Sequence, residues 1–414
     1  MKHGTPRDVV KLLSKHIPIS CRSVLEPAVG EGALLAPFLS GKYKSFNKLT
    51  AIDINKVRLK ECKTLLSDVH VEKLLLNNSF LDWTGDGEYD CVIMNPPFNA
   101  KKSDSVVYEG DILPIEAAFL KKAVSHLSCK GVLIAIIPAS IVSSDSLTAF
   151  RHELLTKHIS IKKVYELNRF SFPGIEGKFY VLIARKVKRL SGVELEKPFI
   201  ESAVSIKLSR QALKREKYRL DFSFHFSKIK LEEIIGYDRV VCKPLSEVSM
   251  IDRGKVVAPF IDKNTLHTSG YQKGMWSSSV AMEKSASGLT AGRGDLLVKR
   301  VSRNCHLTFG IYNHNESTIS DCVFRIRPSG NLTSDQLLFA IRVIYSNPLG
   351  KKLLVKGTGA SYISAKSLME APIPINLHEL FPDEFRQYKR NGAKADPQLR
   401  SRIEDTVFNR LAAC

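Results

Sequence analysis

Short, continuous apolar runs alternate with amphipathic stretches through the first 186 residues. Val24-Leu25, Leu49 to Ile54 and Leu74 to Leu76 read as strands, and Cys91 to Met94 and Val132 to Ile137 have the character of buried strands of a parallel sheet. Ile161 to Leu167 and Phe179 to Ala184 extend the series. Between the strands, helical spacing recurs. Residues 5–17 place Val9, Val10, Leu12, Leu13 and Ile17 on one face, behind Thr5 as an N-cap and Pro6 at the first helical position. Glu116 to Leu127 and Phe150 to Lys157 repeat the helical period. This alternation predicts an α/β domain built on a doubly wound, mostly parallel sheet.

The pattern changes near residue 186. Lys186, Lys188, Arg189 and Lys197 surround polar, β-rich sequence without clear alternation. Strands are expected at residues 292–300 and 322–328, and helices at Leu337–Tyr345 and Gly350–Leu354, followed by a glycine-rich loop at 355–361. The expected organisation is an α/β domain at 1–200, a connection at 201–240 and a mixed α+β domain at 241–414.

Candidate chemistry sits at the predicted strand ends. Ser23-Val-Leu-Glu26 runs into Pro27-Ala-Val-Gly30-Glu-Gly32, a tight turn whose glycines let a ligand approach backbone ahead of a helix. As a dinucleotide fingerprint it is poor, because Leu35 stands where a third glycine is needed. An acid at that strand end repels a pyrophosphate but can hold a cationic amino-acid group, which points toward S-adenosylmethionine. An ordinary glycine turn remains the alternative. Asp53, closing the second run, is placed to accept from both hydroxyls of a ribose or to cap the helix starting near Lys56. The third run ends in Asn77-Asn-Ser79-Phe80, the fourth in Asn95-Pro96-Pro97-Phe98. The prolines stop the ladder and leave carbonyls free, Asn95 adds an amide acceptor and Phe98 a flat ring. Together they make a receptacle for a planar group bearing an amine.

Composition narrows the partner. The chain has 414 residues, 44% hydrophobic and 25% charged, with a net charge of +20 and a pI near 9.5. A folded chain this basic suggests a polyanion, nucleic acid before an anionic membrane. Its eight cysteines show no Cys-x-x-Cys pair, and no histidine cluster stands at zinc spacing, so no metal is expected. Reduced thiols, no apolar leader and no long apolar stretch give the expectation of a cytoplasmic protein away from membranes.

The order of these features resembles the gamma group of adenine-specific amino-methyltransferases of DNA, from bacterial restriction–modification systems. Thr5-Pro-Arg-Asp-Val-Val10, Leu25 to Gly32, Asp53, Asn95 to Phe98, Gly131 to Pro138 and Phe172-Pro173 carry the resemblance, which covers residues 1–186 well and the second half loosely. It implies S-adenosyl-L-methionine as cofactor, held by Thr5, Glu26, Pro27, Ala28, Val29, Gly30, Gly32, Asp53, Ser79, Phe80 and Pro97. It implies that Asn95 and Pro96 accept from the exocyclic amine of a flipped adenine, with Phe98 and Phe172 stacking on the base. Phe172 also reads as a core residue ahead of a turn. One position departs from the pattern: the family places an Asp before the aromatic at Phe80, and this chain has Ser79, with Asp82 able to substitute only if the loop shifts. The second half resembles target-recognition domains, and Lys299, Arg300 and Arg303 are its candidate DNA contacts. Lys101 and Lys102 are candidates for holding phosphate near the base.

The implied partner is double-stranded DNA, together with a separately encoded restriction endonuclease acting on the same site; the oligomer expected is a monomer. An RNA adenine methyltransferase with the same pocket is a second reading, and a catalytically silent nucleic-acid-binding subunit a third.

Overall fold

In the computed structural model, the apolar runs of the first half lie side by side in one sheet, buried at its centre and more exposed at β3, where Leu74 is 45% exposed. Its strands are β1 (Ser23–Glu26), β2 (Lys48–Ile52), β3 (Glu72–Leu76), β4 (Tyr89–Met94), β7 (Leu127–Pro138), β8 (Ser160–Glu166), β9 (Phe179–Arg185), β10 (Val193–Lys197) and β11 (Val204–Leu208). The intervening β5 (Ser105–Tyr108) and β6 (Asp111–Pro114) form a separate hairpin. The structure describes the chain outside residues 1–3, 99–104, 169–170, 173, 176, 188–191, 199–203, 258–260, 262–264, 273, 278–287, 358–360, 395 and 414.

The sheet order is β11-β10-β8-β9-β7-β4-β1-β2-β3. From β3 through β7 every pairing is parallel, while β9 runs antiparallel between β7 and β8. Val24, Leu25, Cys91 to Met94 and Val132 to Ile137 are all buried, as strands covered on both faces require. Because β1, β2, β3 and β4 are parallel, their polar C-terminal ends emerge along one edge of the sheet.

Local chemistry sets the helices and corrects two expectations. Helix α1 (Arg7–Ser14) buries Val9, Leu12 and Leu13, but Pro6 occupies the N-cap position in extended conformation and no side chain caps it. Thr5 is not the cap. After the glycine turn, Ala33–Ser40 is wound as a 3-10 segment containing Pro37, which has no N–H to give an α-helical ladder. Helix α2 (Lys56–Leu65) is capped by Asn55, whose side chain accepts from the Val57 and Arg58 N–H groups. That leaves Asp53 without a capping role for this helix. Helix α3 (Ile115–Ser125) buries Ala117, Ala118, Phe119 and Leu120.

The first unit spans Met1–Phe222 and the second Ser223–Cys414. Much of the stretch expected as a connection is ordered structure: Val204–Leu208 pairs with β10 and Phe222–Ile235 is a helix. Lys163 of β8 binds Glu194 and Glu196 of β10 at 3.0 and 2.5 Å, tying that edge of the sheet together. In the second unit an antiparallel sheet of Ser249–Arg253, Val323–Pro328, Leu296–Lys299 and Gly310–Ile311 accompanies the helix Ser334–Tyr345, buried from Leu337 through Tyr345. Arg342 of that helix binds Glu404 at 2.6 Å in its interior. No helix among the described residues is long and apolar enough to cross a membrane.

Candidate active site

The strand ends surround a cavity of about 510 Å³. That volume falls within the roughly 300–1,000 Å³ typical of small-molecule sites. Its wall takes Glu26 to Gly30 from the β1 turn, Asp53 from β2, Ser79 and Phe80 from the end of β3, and Asn95 to Phe98 from β4. Thr5 and Phe172, far apart in the first unit's sequence, also line it. Gly32 is the one residue of the expected cofactor set that does not. With φ of +87°, a Cβ there would lie 2.9 Å from Leu65 Cδ2, so this glycine serves close packing of the turn on α2.

Two carboxylates organise one end of the cavity. Asp53 accepts from the Gly30 N–H through Oδ2 and from the Asn55 N–H through Oδ1, each at 2.7 Å. It thereby joins the glycine turn to the end of β2 while each oxygen retains a further lone pair. Glu26 is 1% exposed, and its Oε2 has no hydrogen-bond partner. Burial, reinforced by the Asp53 charge, pushes the Glu26 carboxyl well above the usual carboxylate range. A buried, unpartnered acceptor on a cavity wall beside a second acid suits a cationic ligand carrying vicinal hydroxyls.

The end of β3 is clamped. Lys122 of α3 donates to the carbonyls of Leu81 at 2.8 Å and Trp83 at 2.5 Å, with its ammonium 5.3 Å from the centre of the Phe80 ring. Phe80 packs between Trp83 and Phe119. Asp82 on this loop is exposed and is not part of the cavity wall. The clamp holds the loop where Ser79, not Asp82, faces the cavity.

At the other end, Asn95 Nδ2 donates to Thr5 Oγ1 at 3.1 Å, while Asn95 Oδ1 is buried without a partner. Phe98 and Phe172 both lean on Phe179, with ring centres 5.2 and 4.9 Å away and tilted. Phe172 is a core residue, 5% exposed, and a wall residue at once. Sequence reasoning misses Phe179 as the common backing of these rings; its aromatic character at the head of a strand is the available signal.

The candidate nucleic-acid contacts fare unevenly. Lys101 and Lys102 lie outside the described residues. In the second unit, Lys299 stands 5.4 Å from the centre of the Tyr271 ring, and burial lowers its pKa. Arg300 is committed: its Nε donates to the Asp321 carbonyl at 2.8 Å and its Nη2 to the Asp321 carboxylate at 3.4 Å. It braces a strand end rather than reaching into solvent. Arg303 is exposed.

Comparison with known proteins fits this geometry. Residues 19–172 match the family profile described as Eco57I restriction-modification methylase. S-adenosylmethionine is the cofactor that this match implies, and the acids, hydroxyl and aromatic wall described above suit it. The type IIG restriction endonuclease BpuSI is similar in structure at a TM-score of 0.51 and 14% identity, over 99% of this chain and 66% of that one. This likeness shows a shared fold. A modification subunit of a putative type I restriction enzyme from Vibrio vulnificus matches at a TM-score of 0.43 and 17% identity, over 49% of this chain and 48% of its own. A type I methyltransferase subunit from Streptococcus thermophilus matches at 0.44 and 18%, over 53% and 58%. The chain thus spans about half to two thirds of the length of these structures. A comparison with curated protein sequences finds none that matches.

Proposed function

We propose that this chain transfers a methyl group to the exocyclic amine of a flipped adenine in double-stranded DNA at a specific sequence. The observation that carries the reading is Asn95 Oδ1, a buried acceptor without a partner on the wall of a cavity whose opposite end is built for a cationic ligand. The methylase match over residues 19–172 and the net charge of +20 support it.

An aromatic amine is a poor nucleophile because its lone pair is delocalised into the ring. Asn95 Oδ1 and the Pro96 carbonyl accept from its two N–H groups, drawing the nitrogen toward tetrahedral geometry and localising the pair. S-adenosylmethionine, when bound, would supply an electrophilic methyl group, its sulfur leaving as a neutral thioether, and the methylated amine would shed one proton to solvent. Glu26 and Asp53 bind and orient that cofactor, and Ser79 and Phe80 wall its adenine side. Acceleration then comes from placement and electrostatics, with no protein nucleophile required. A paired adenine cannot enter such a cavity and must be flipped, costing roughly a few kcal/mol. Phe98 and Phe172, backed by Phe179, offset that by stacking, at about 1–3 kcal/mol per base. The recognition of sequence falls to the second unit, and a separately encoded endonuclease acting on the same site is the natural partner.

The test is to express the chain in a host lacking adenine methylation and sequence its DNA for modified bases. Methylated adenines at one recurrent motif, absent with Asn95→Ala, are expected. Transfer from labelled cofactor to RNA but not to duplex DNA would overturn the reading.

A further inference from the structure

Phe98 and Ile115 both line the cavity. Between them in the sequence lies the hairpin β5–β6, closed by the two-residue loop Glu109-Gly110 with φ of 49° and 83°. Positive φ at both loop positions matches the twist of paired strands, so the turn is tight. Its two faces differ. Val106 and Leu113 occupy one, Leu113 being buried, and Lys121 of α3 holds the Glu109 and Asp111 carboxylates at 3.0 and 3.1 Å. The other face presents Val107 directly opposite Ile112, each 77% exposed.

Single apolar side chains on a surface need no explanation. A cross-strand pair of branched aliphatics, about 5 Å apart at Cβ, on a braced hairpin rooted in the cavity wall is different. Pro114, the last hairpin residue, is the N-cap of α3, so the hairpin's foot is fixed to the wall residue Ile115. Ile112 stands three residues from Ile115, roughly 10 Å of extended chain. We propose that Val107 and Ile112 form a wedge that enters the base stack of duplex DNA beside the flipped adenine. This rests on the function proposed above.

Extruding a base leaves its neighbours unstacked, and apolar side chains inserted between base steps are a known physical answer to that loss. A duplex is favoured over a protein partner by position, since the hairpin springs from the wall of the cavity that takes the base. The two acids at the turn share the single ammonium of Lys121, while the chain as a whole carries +20.

The experiment compares the full chain with a V107S/I112S variant, whose exposed positions leave the melting temperature unchanged. Once sequencing has located the target, two duplexes carry it: one fully paired, one with the adenine opposite an abasic position. Labelled methyl transfer to the paired duplex falls roughly tenfold or more, while transfer to the unpaired target stays within about twofold. Equal loss on both substrates, or no loss on either, overturns the wedge. So does a wild-type dimer in sedimentation that the variant converts to monomer with transfer to paired duplex intact, which makes the pair a contact between copies. If the wild type modifies no DNA at all, the underlying function fails and the wedge with it. A working wild type and an unaffected variant sink the wedge alone.

Discussion

Asn95 Nδ2 donates to the hydroxyl of Thr5 at 3.1 Å, an arrangement that leaves the Asn95 carbonyl oxygen free of Thr5. The two residues lie 90 positions apart, on the segment before α1 and at the end of β4. An Asn whose amino group is engaged presents its carbonyl oxygen to the cavity; reversed, it would offer a donor to another donor.

Thr5→Val should therefore lower kcat about fivefold, the order expected for one net hydrogen bond of about 1 kcal/mol. Thr5→Ser should restore it. A fall in kcat with unchanged cofactor affinity, measured by calorimetric titration, marks Thr5 as a positioning residue. A loss confined to affinity would assign it to the cofactor alone. Asn95→Ala should abolish transfer with cofactor binding retained.

Glu26 predicts a pH dependence. Its carboxyl is held well above the usual range by burial and by Asp53. In the cofactor-free protein the folded state therefore binds a proton that the unfolded state has released. Stability falls as pH rises from the unfolded value, about 4.3, through the raised folded value. Glu26→Gln should melt higher than wild type at pH 8, and the gap should close near pH 4. A cationic ligand favours the carboxylate, so binding should release a proton, visible as a buffer-dependent heat that the variant lacks. A pH-independent gap would remove Glu26 as its source.

Ser79→Asp should tighten cofactor binding roughly five- to tenfold, since hydrogen bonds to a charged acceptor are about twice as strong as neutral ones. Titration calorimetry decides it. Unchanged affinity would mean that Ser79 faces no donor.

Gly30 and Gly32 should separate. Gly32→Ala meets both a left-handed backbone and Leu65 at 2.9 Å, and should cost about 1–3 kcal/mol in thermal or urea denaturation. Gly30→Ala is strained by φ of +52° but meets nothing within 4 Å, so its added methyl should also be felt in ligand affinity.

Phe172→Ala should diminish the fluorescence gain of 2-aminopurine placed at the target, because less of the base is held outside the duplex stack. An intact gain would leave Phe172 a core residue only.

The sheet and the cavity wall are largely legible in the amino-acid sequence. Buried parallel strands announce themselves as apolar runs, and the polar residues that follow them emerge along one edge. Thr5 is harder to read, because Thr-Pro looks the same whether the threonine caps a helix or turns toward Asn95, 90 residues on. The hairpin β5–β6 leaves little trace, since its strands are four residues long and Glu-Gly is a weak turn signal. Arg300 looks available in the sequence because its partner, Asp321, lies 21 residues away on another segment. Local pattern reports faces and ends; it does not report which side chains meet across the fold.

The antiparallel insertion of β9 between β7 and β8 has a consequence for how the protein is made. β9 comes after both neighbours in the chain, yet it pairs with each of them. As the polypeptide emerges from the ribosome, β1 to β4 are complete long before the segment bearing Phe172 and Phe179 exists. The side of the cavity built from the ends of β1 to β4 is therefore synthesised first, and the side bearing Phe172 is the last part to close. Until then Phe98 lacks the Phe179 ring that backs it.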